Sequence, residues 1–194
     1  MNSRLWIIVV AAGALGLGAG AAVRHWLPAP AGETAEEATL ELEPTSGGQD
    51  ETADVIDSRR PDFTLPDREG DSRSIGDFSD RVVLLNFWAT WCPPCLEEIP
   101  ALDALHRELG DEGLSVVGVA LEDAEPVQAF AAEHDVGYPL LVGGRKAFDI
   151  AAEYGNARGT LPYSVVIDRT GTIRATHQGA LTRAEARELV APWL

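Results

Sequence analysis

The sequence predicts an α/β fold, a central mixed β-sheet, mainly parallel, with helices on both faces. Three observations carry that expectation. Two near-continuous apolar runs, RVVLLNFW at 81–88 and LSVVGVAL at 114–121, have the pattern of strands buried on both faces. Segments with apolar residues at helical spacing alternate with them, as parallel strands require. Near the C-terminus, two short runs flank Asp168-Arg169-Thr170-Gly171, a hairpin that adds antiparallel strands.

The elements follow in order. Residues 62–66 and the turn at 67–70 open an N-terminal β-hairpin. After the strand at 81–88, residues 96–109 carry Leu96, Ile99, Leu102, Leu105 and Leu109 at helical spacing. Pro93 and Pro94 suit a first helical turn, where a missing N–H costs little. The strand at 114–121 leads to a helix over 124–134, with Val127, Phe130 and Ala131 inward. A short strand at 138–142 and a helix at 145–154, closed by Gly155, form a central βα insertion. The hairpin pairs 163–167 with 172–176. Thr182 then caps a last helix, with Glu185 at capping-box spacing.

Charge divides the chain unevenly. The formal net charge is −16, which argues against nucleic-acid binding, since that needs a basic face. Between residues 28 and 57 lie nine acidic residues and no Lys or Arg or aromatic side chain. Residues 28–60 therefore read as a disordered acidic linker, and 61–194 as the folded unit. Ahead of the linker, residues 5–23 hold no charge and would span about 28 Å as a helix, close to the hydrocarbon thickness of a bilayer. Trp6 and Trp26 fall near its ends, where amphipathic rings favour the interface. Residues 1–27 are thus expected to be a single-pass anchor. A cleaved signal peptide is the alternative, with Ala19-Gly20-Ala21 and Ala29-Pro30-Ala31 as small-residue sites. Arg4 and Arg24 flank the segment on opposite sides, so basic residues leave its orientation open. Either reading puts the folded domain outside the cytoplasm.

The chemistry concentrates in FWATWCPPCLEEIP, residues 87–100. It holds Cys92 and Cys95, the only two cysteines in 194 residues. A loop that small removes little unfolded-chain entropy, so the pair is not a structural staple. Half of a metal site is one reading, but there is no second CxxC, and His106, His134 and His177 lack ligand spacing. Two inert core thiols are another, and fit badly with a strand–helix junction. A redox couple is the third and is favoured. A thiolate at a helix start feels the positive end of the dipole, and a second thiol one turn on can resolve a mixed disulfide.

With Thr160-Leu161-Pro162 downstream, this stretch resembles the thioredoxin superfamily, and more narrowly the membrane-anchored TlpA/ResA-type thiol–disulfide oxidoreductases. The resemblance covers 61–194 and implies a thioredoxin-like fold. It implies Cys92 as the exposed attacking thiol and Cys95 as the buried resolving thiol. Pro162 matches the cis-proline loop that, with Leu161 and Trp91, meets the extended substrate segment. Glu98 matches the acidic residue three positions after the second cysteine, in a proton-transfer role. Thioredoxin itself keeps its acid on the strand, where this chain has Asn86. Glu97 and Glu98 otherwise read as first-turn acids that favour any helix start. The resemblance further implies a reductase of exported proteins, such as apocytochrome c or copper-site assembly factors, recharged by a transmembrane electron donor. The expected form is a monomer in the inner (cytoplasmic) membrane, its domain facing the periplasm or cell exterior, with no cofactor and no metal. Two rivals stay open. A tethered copper chaperone would use both thiolates as soft ligands. A thiol peroxidase is suggested by Asp62-Phe63-Thr64-Leu65-Pro66, which resembles the start of peroxiredoxins. That family sets Thr or Ser and Pro before its reactive cysteine, and here those positions are Ala89 and Leu85.

Overall fold

The computed structural model describes residues 55–194. The expected anchor and most of the acidic linker lie outside the described residues. The first pairing is a small antiparallel hairpin of β1 (Thr64–Pro66) and β2 (Ser72–Ser74). Asp67 closes its turn, its Oδ1 accepting from the amides of Glu69 and Asp71. A short 3-10 turn, Ile75–Phe78, follows and was not expected from the sequence. Ser74 and Asp77 form a capping box around it, and Ile75 and Phe78 point into the core.

Then come β3 (Val82–Trp88), α1 (Pro93–Leu109), β4 (Leu114–Ala120), α2 (Ala124–His134), β5 (Leu140–Val142), α3 (Gly144–Glu153), β6 (Tyr163–Ile167), β7 (Ile173–Gln178) and α4 (Arg183–Val190). The main sheet has the order β5-β4-β3-β6-β7. β3 runs parallel to β4, and β4 to β5; β6 is antiparallel to both β3 and β7. The mixed α/β expectation therefore holds, with β5 as an edge strand.

Three boundaries differ. α1 begins at Pro93, with both prolines in its first turn as expected, but that turn ends before Glu97 and Glu98, which were expected inside it. β5 is shorter than the run that predicted it: Pro139 has no N–H for a ladder, although its carbonyl still accepts from Gly118. The folded unit also begins before residue 61. Asp57 N donates to Ile173 O, Arg59 bridges to Thr172, and Val55 and Ile56 pack on the core. The acidic composition of the linker hid this short paired segment.

Alternation along the strands builds two interiors. One face carries Leu84, Trp88, Val116 and Val166 under α1, α2 and α4. The other carries Val83, Leu85, Phe87, Val117 and Val165 under α3, the hairpin and the 3-10 turn. Each buried aliphatic or aromatic side chain contributes roughly 1.5–3 kcal/mol. Doubly covered strands therefore read as unbroken apolar runs.

Candidate active site

β3 ends at Trp88, whose carbonyl accepts from Leu121 N, and the chain turns through Ala89-Thr90-Trp91 into α1. Cys92 is the helix N-cap. Cys92 and Cys95 are joined in a disulfide with Cα atoms 5.3 Å apart. The sequence expectation of an exposed Cys92 needs correction: it is only 5% exposed, although Cys95 is fully buried at 0%. Trp91 beside it is 61% exposed and the larger of the two big apolar side chains left open among the described residues. Burial of the turn against the apolar core under α1 closes over Cys92 and leaves Trp91 outside.

The two prolines shape the electrostatics. Neither Pro93 nor Pro94 has an N–H, and the next two amides, of Cys95 and Leu96, both donate to the Cys92 carbonyl (3.0 and 3.2 Å). The first turn thus spends its nearest amides on the backbone.

Glu98 lies one turn beyond Cys95 and is 1% exposed. Asn86 Nδ2 donates to its Oε1 at 2.7 Å, and Leu181 N donates to its Oε2 at 3.0 Å. Burial pushes its pKa up from 4.5 to about 7, against the pull of those two hydrogen bonds. Asn86 also donates to Ser164 Oγ at 3.1 Å, and the register sets Asn86 between Gly118 and Ser164. A polar row thus crosses an otherwise apolar face beneath Glu98. Gly118 has a steric reason: an added Cβ would lie 2.8 Å from Leu140 and 3.0 Å from the Trp88 indole nitrogen.

Leu161-Pro162 is a cis peptide. The register pairs Phe87 with Tyr163, which puts the cis-proline at the sheet end where β3 leads into the CPPC turn. Leu161 is half-buried against both interiors. Asn156 stiffens the approach to it, its side-chain amide bonding both the N–H and the carbonyl of Thr160.

Glu122 was missed in the sequence. Its carboxylate accepts from both the amide and the hydroxyl of Thr90, two residues before Cys92, and so ties the active turn to the end of β4. The available signal was its place just past a buried strand, where α/β sheets gather their sites. Among the described residues, no three His, Cys, Asp or Glu side chains gather as a metal site, and no helix is long and apolar enough to cross a membrane.

A model of the AhpC/TSA family matches residues 56–176. The thioredoxin-like protein YneN of Bacillus subtilis is 37% identical over 132 residues, 66% of this chain and 74% of its own. The thiol-disulfide oxidoreductase ResA of Halalkalibacterium halodurans is 31% identical over 134 residues, covering 67% and 74%. Among solved structures, a secreted thiol-disulfide isomerase from Corynebacterium glutamicum superposes with a TM-score of 0.63 at 26% identity, covering 69% of this chain and 84% of that one.

Proposed function

The chain belongs to the AhpC/TSA family and is a thiol–disulfide oxidoreductase of the ResA type, and from that premise we propose that it reduces disulfides of exported proteins. The observation that carries the direction is the amide-poor first turn: both residues between the cysteines are proline, and the next two amides bond a carbonyl. A thiolate with few donors is less stabilised, which disfavours the reduced form and makes the couple more reducing.

The reaction runs in two exchanges. The Cys92 thiolate attacks one sulfur of a client disulfide; that S–S bond breaks, and the other client sulfur leaves as a thiolate. Cys95 then gives its proton to the Glu98 carboxylate and attacks Cys92 Sγ. The mixed disulfide breaks, the second client thiolate leaves, and Cys92–Cys95 closes. Two electrons have passed to the client, and a transmembrane donor restores the dithiol. Trp91, Leu161 and Pro162 hold the client strand, while Glu122 keeps the turn in place through Thr90.

Residues 5–23 support a single-pass anchor in the cytoplasmic membrane, with the domain on the outer side as a monomer. The secreted relative from Corynebacterium glutamicum agrees with that side of the membrane. Both cysteines belong to one pair, so no separate peroxidatic thiol remains.

Equilibration with glutathione and dithiothreitol series tests the direction. The expected potential is near thioredoxin's, about −270 mV, rather than the roughly −120 mV of a dedicated oxidant. A disulfide already reduced at mildly reducing glutathione ratios would instead assign an oxidant or isomerase. Titrating Cu(I) beside an insulin-reduction assay separates exchange from metal carriage.

A further inference from the structure

At the sheet end opposite the dithiol, a groove of about 400 Å³ is lined by Arg59, Arg60, Arg81 and Arg169. Four guanidiniums in one groove are unexpected in a chain of net charge −16. Their partners are mostly uncharged. Arg59 donates to Thr170 O, and Arg169 to Glu112 O. Arg81 donates to Ser115 Oγ and to the carbonyls of Gly110 and Leu114. Among the described residues, Arg60 alone of the four bonds a carboxylate, that of Asp62.

The walls also hold two acids, Asp80 and Asp168. Asp168 is already engaged by Arg174, Thr170 and Thr172. The arginines therefore leave positive charge to spare. Their packing is close. An added Cβ at Gly171 would lie 3.5 Å from Arg60 Nε and 3.7 Å from an Arg59 terminal nitrogen, and one at Gly113 would meet Arg169 at 2.8 Å.

We propose that this groove binds the acidic stretch immediately before the described domain, through Asp50, Glu51 and Asp54. Three features of the chain select that occupant. The stretch ends at residue 54, and the chain then runs through Asp57, hydrogen-bonded to Ile173, to Arg59 in the groove wall. Residues 28–54 contain acids but no Lys or Arg, so charge of one sign faces charge of the other. Asp54 and Asp50 lie five and nine residues before Arg59 in the groove wall, within roughly 18 and 32 Å of extended chain, so the acids are held at high effective concentration near the groove. Single surface ion pairs are weak, and three held together are needed. The proposal is independent of the direction of electron flow.

The experiment uses the full chain in neutral detergent. The sequence has one lysine, Lys146, whose amine bonds Thr64 O. Arg169→Lys keeps the charge and adds a second lysine amine, distant in sequence from the acids. Zero-length carbodiimide coupling, mapped by peptide mass spectrometry, should join position 169 to Asp50, Glu51 or Asp54 at several-fold the yield seen for Lys146. The yield should fall several-fold with Arg59→Gln added, and in about 1 M salt, where the Debye length is about 3 Å.

Equal coupling by Lys146, or coupling found only between isotope-labelled and unlabelled chains, overturns the proposal. In the unsubstituted chain, side-chain Nε–H resonances of Arg59 and Arg169 should move when Asp50→Asn, Glu51→Gln and Asp54→Asn are combined. Unmoved resonances overturn it as well.

Discussion

Along β3 the residues alternate between two interiors that differ in chemistry. Val83, Leu85 and Phe87 enter the side under α3 and the hairpin, where Phe63, Tyr154 and Tyr163 pack around them. Both tyrosine hydroxyls there are satisfied: Tyr154 donates to Pro61 O at 2.6 Å and Tyr163 to Tyr154 O at 3.0 Å. Leu84, Asn86 and Trp88 enter the side under α1. That side holds the disulfide and the buried Glu98, and leaves Asn86 Oδ1, Trp88 Nε1 and Tyr138 OH without a protein partner. One strand thus supports a saturated, purely structural interior and an unsaturated one beside the chemistry. The difference teaches where polarity is tolerated. Buried polar groups left short of partners destabilise a fold, and here they cluster next to a group that must change charge.

Substitutions on the two sides should separate. The largest effect is expected at the cysteines. Cys92→Ser should abolish insulin reduction, whereas Cys95→Ser should stop at the first exchange and accumulate mixed disulfides with clients. Equal trapping by both variants, read by non-reducing electrophoresis and mass spectrometry, would reverse the assigned roles.

Next comes the structural side. Phe87→Ala should cost about 3–5 kcal/mol in denaturant unfolding of the oxidised protein, by transfer and cavity losses. The thiol–disulfide potential should stay where it was. A potential that moved with it would mean that the two sides are not independent.

Glu98→Gln should act on both stability and rate. Glu98 has its pKa raised from 4.5 to about 7, so the folded protein binds the extra proton between those values. Below pH 4.5 both states are protonated and the charge makes no difference. As pH rises towards 7 the wild type loses stability, by about 3 kcal/mol at most for a shift of that size. The variant should lack this loss and be relatively more stable at pH 8 than at pH 5, in thermal melts across pH. Its thiol exchange should slow by about 10–100-fold, since the proton acceptor for Cys95 is gone. Parallel pH curves for the two proteins would remove Glu98 as the titrating group.

The smallest effect is expected at Tyr154→Phe. Losing one hydrogen bond to Pro61 O, with that carbonyl half-buried, should cost about 1–2 kcal/mol and leave exchange rates unchanged.

Much of this is legible in the sequence. β3 and β4 were visible because burial on both faces demands uninterrupted apolar residues. α4 was visible because Thr182 and Glu185 stand three apart, and their capping box forms as read. The 3-10 turn and the paired segment at 55–60 were not visible, being too short to show a period. Glu98 is singled out by resemblance and by its i to i+3 spacing from Cys95, which puts both on one helix face, although that spacing is equally that of an ordinary helix acid. Its burial depends on Asn86, twelve residues back, and Leu181, 83 residues on.

By itself the sequence determined the strand–helix order, the dithiol at a helix start, and the shortage of amides between its cysteines. All of these follow from covalent neighbours and from periods of two or 3.6 residues. The tertiary structure alone decided that Cys92 is nearly closed over while Trp91 stays open, and that Leu161-Pro162 is cis. It also decided that Glu122 braces Thr90, and that four arginines from separate segments share one groove. Those facts depend on contacts between residues tens of positions apart. No local pattern encodes such contacts, because the chain's path in space, and not its spacing in sequence, sets the distances.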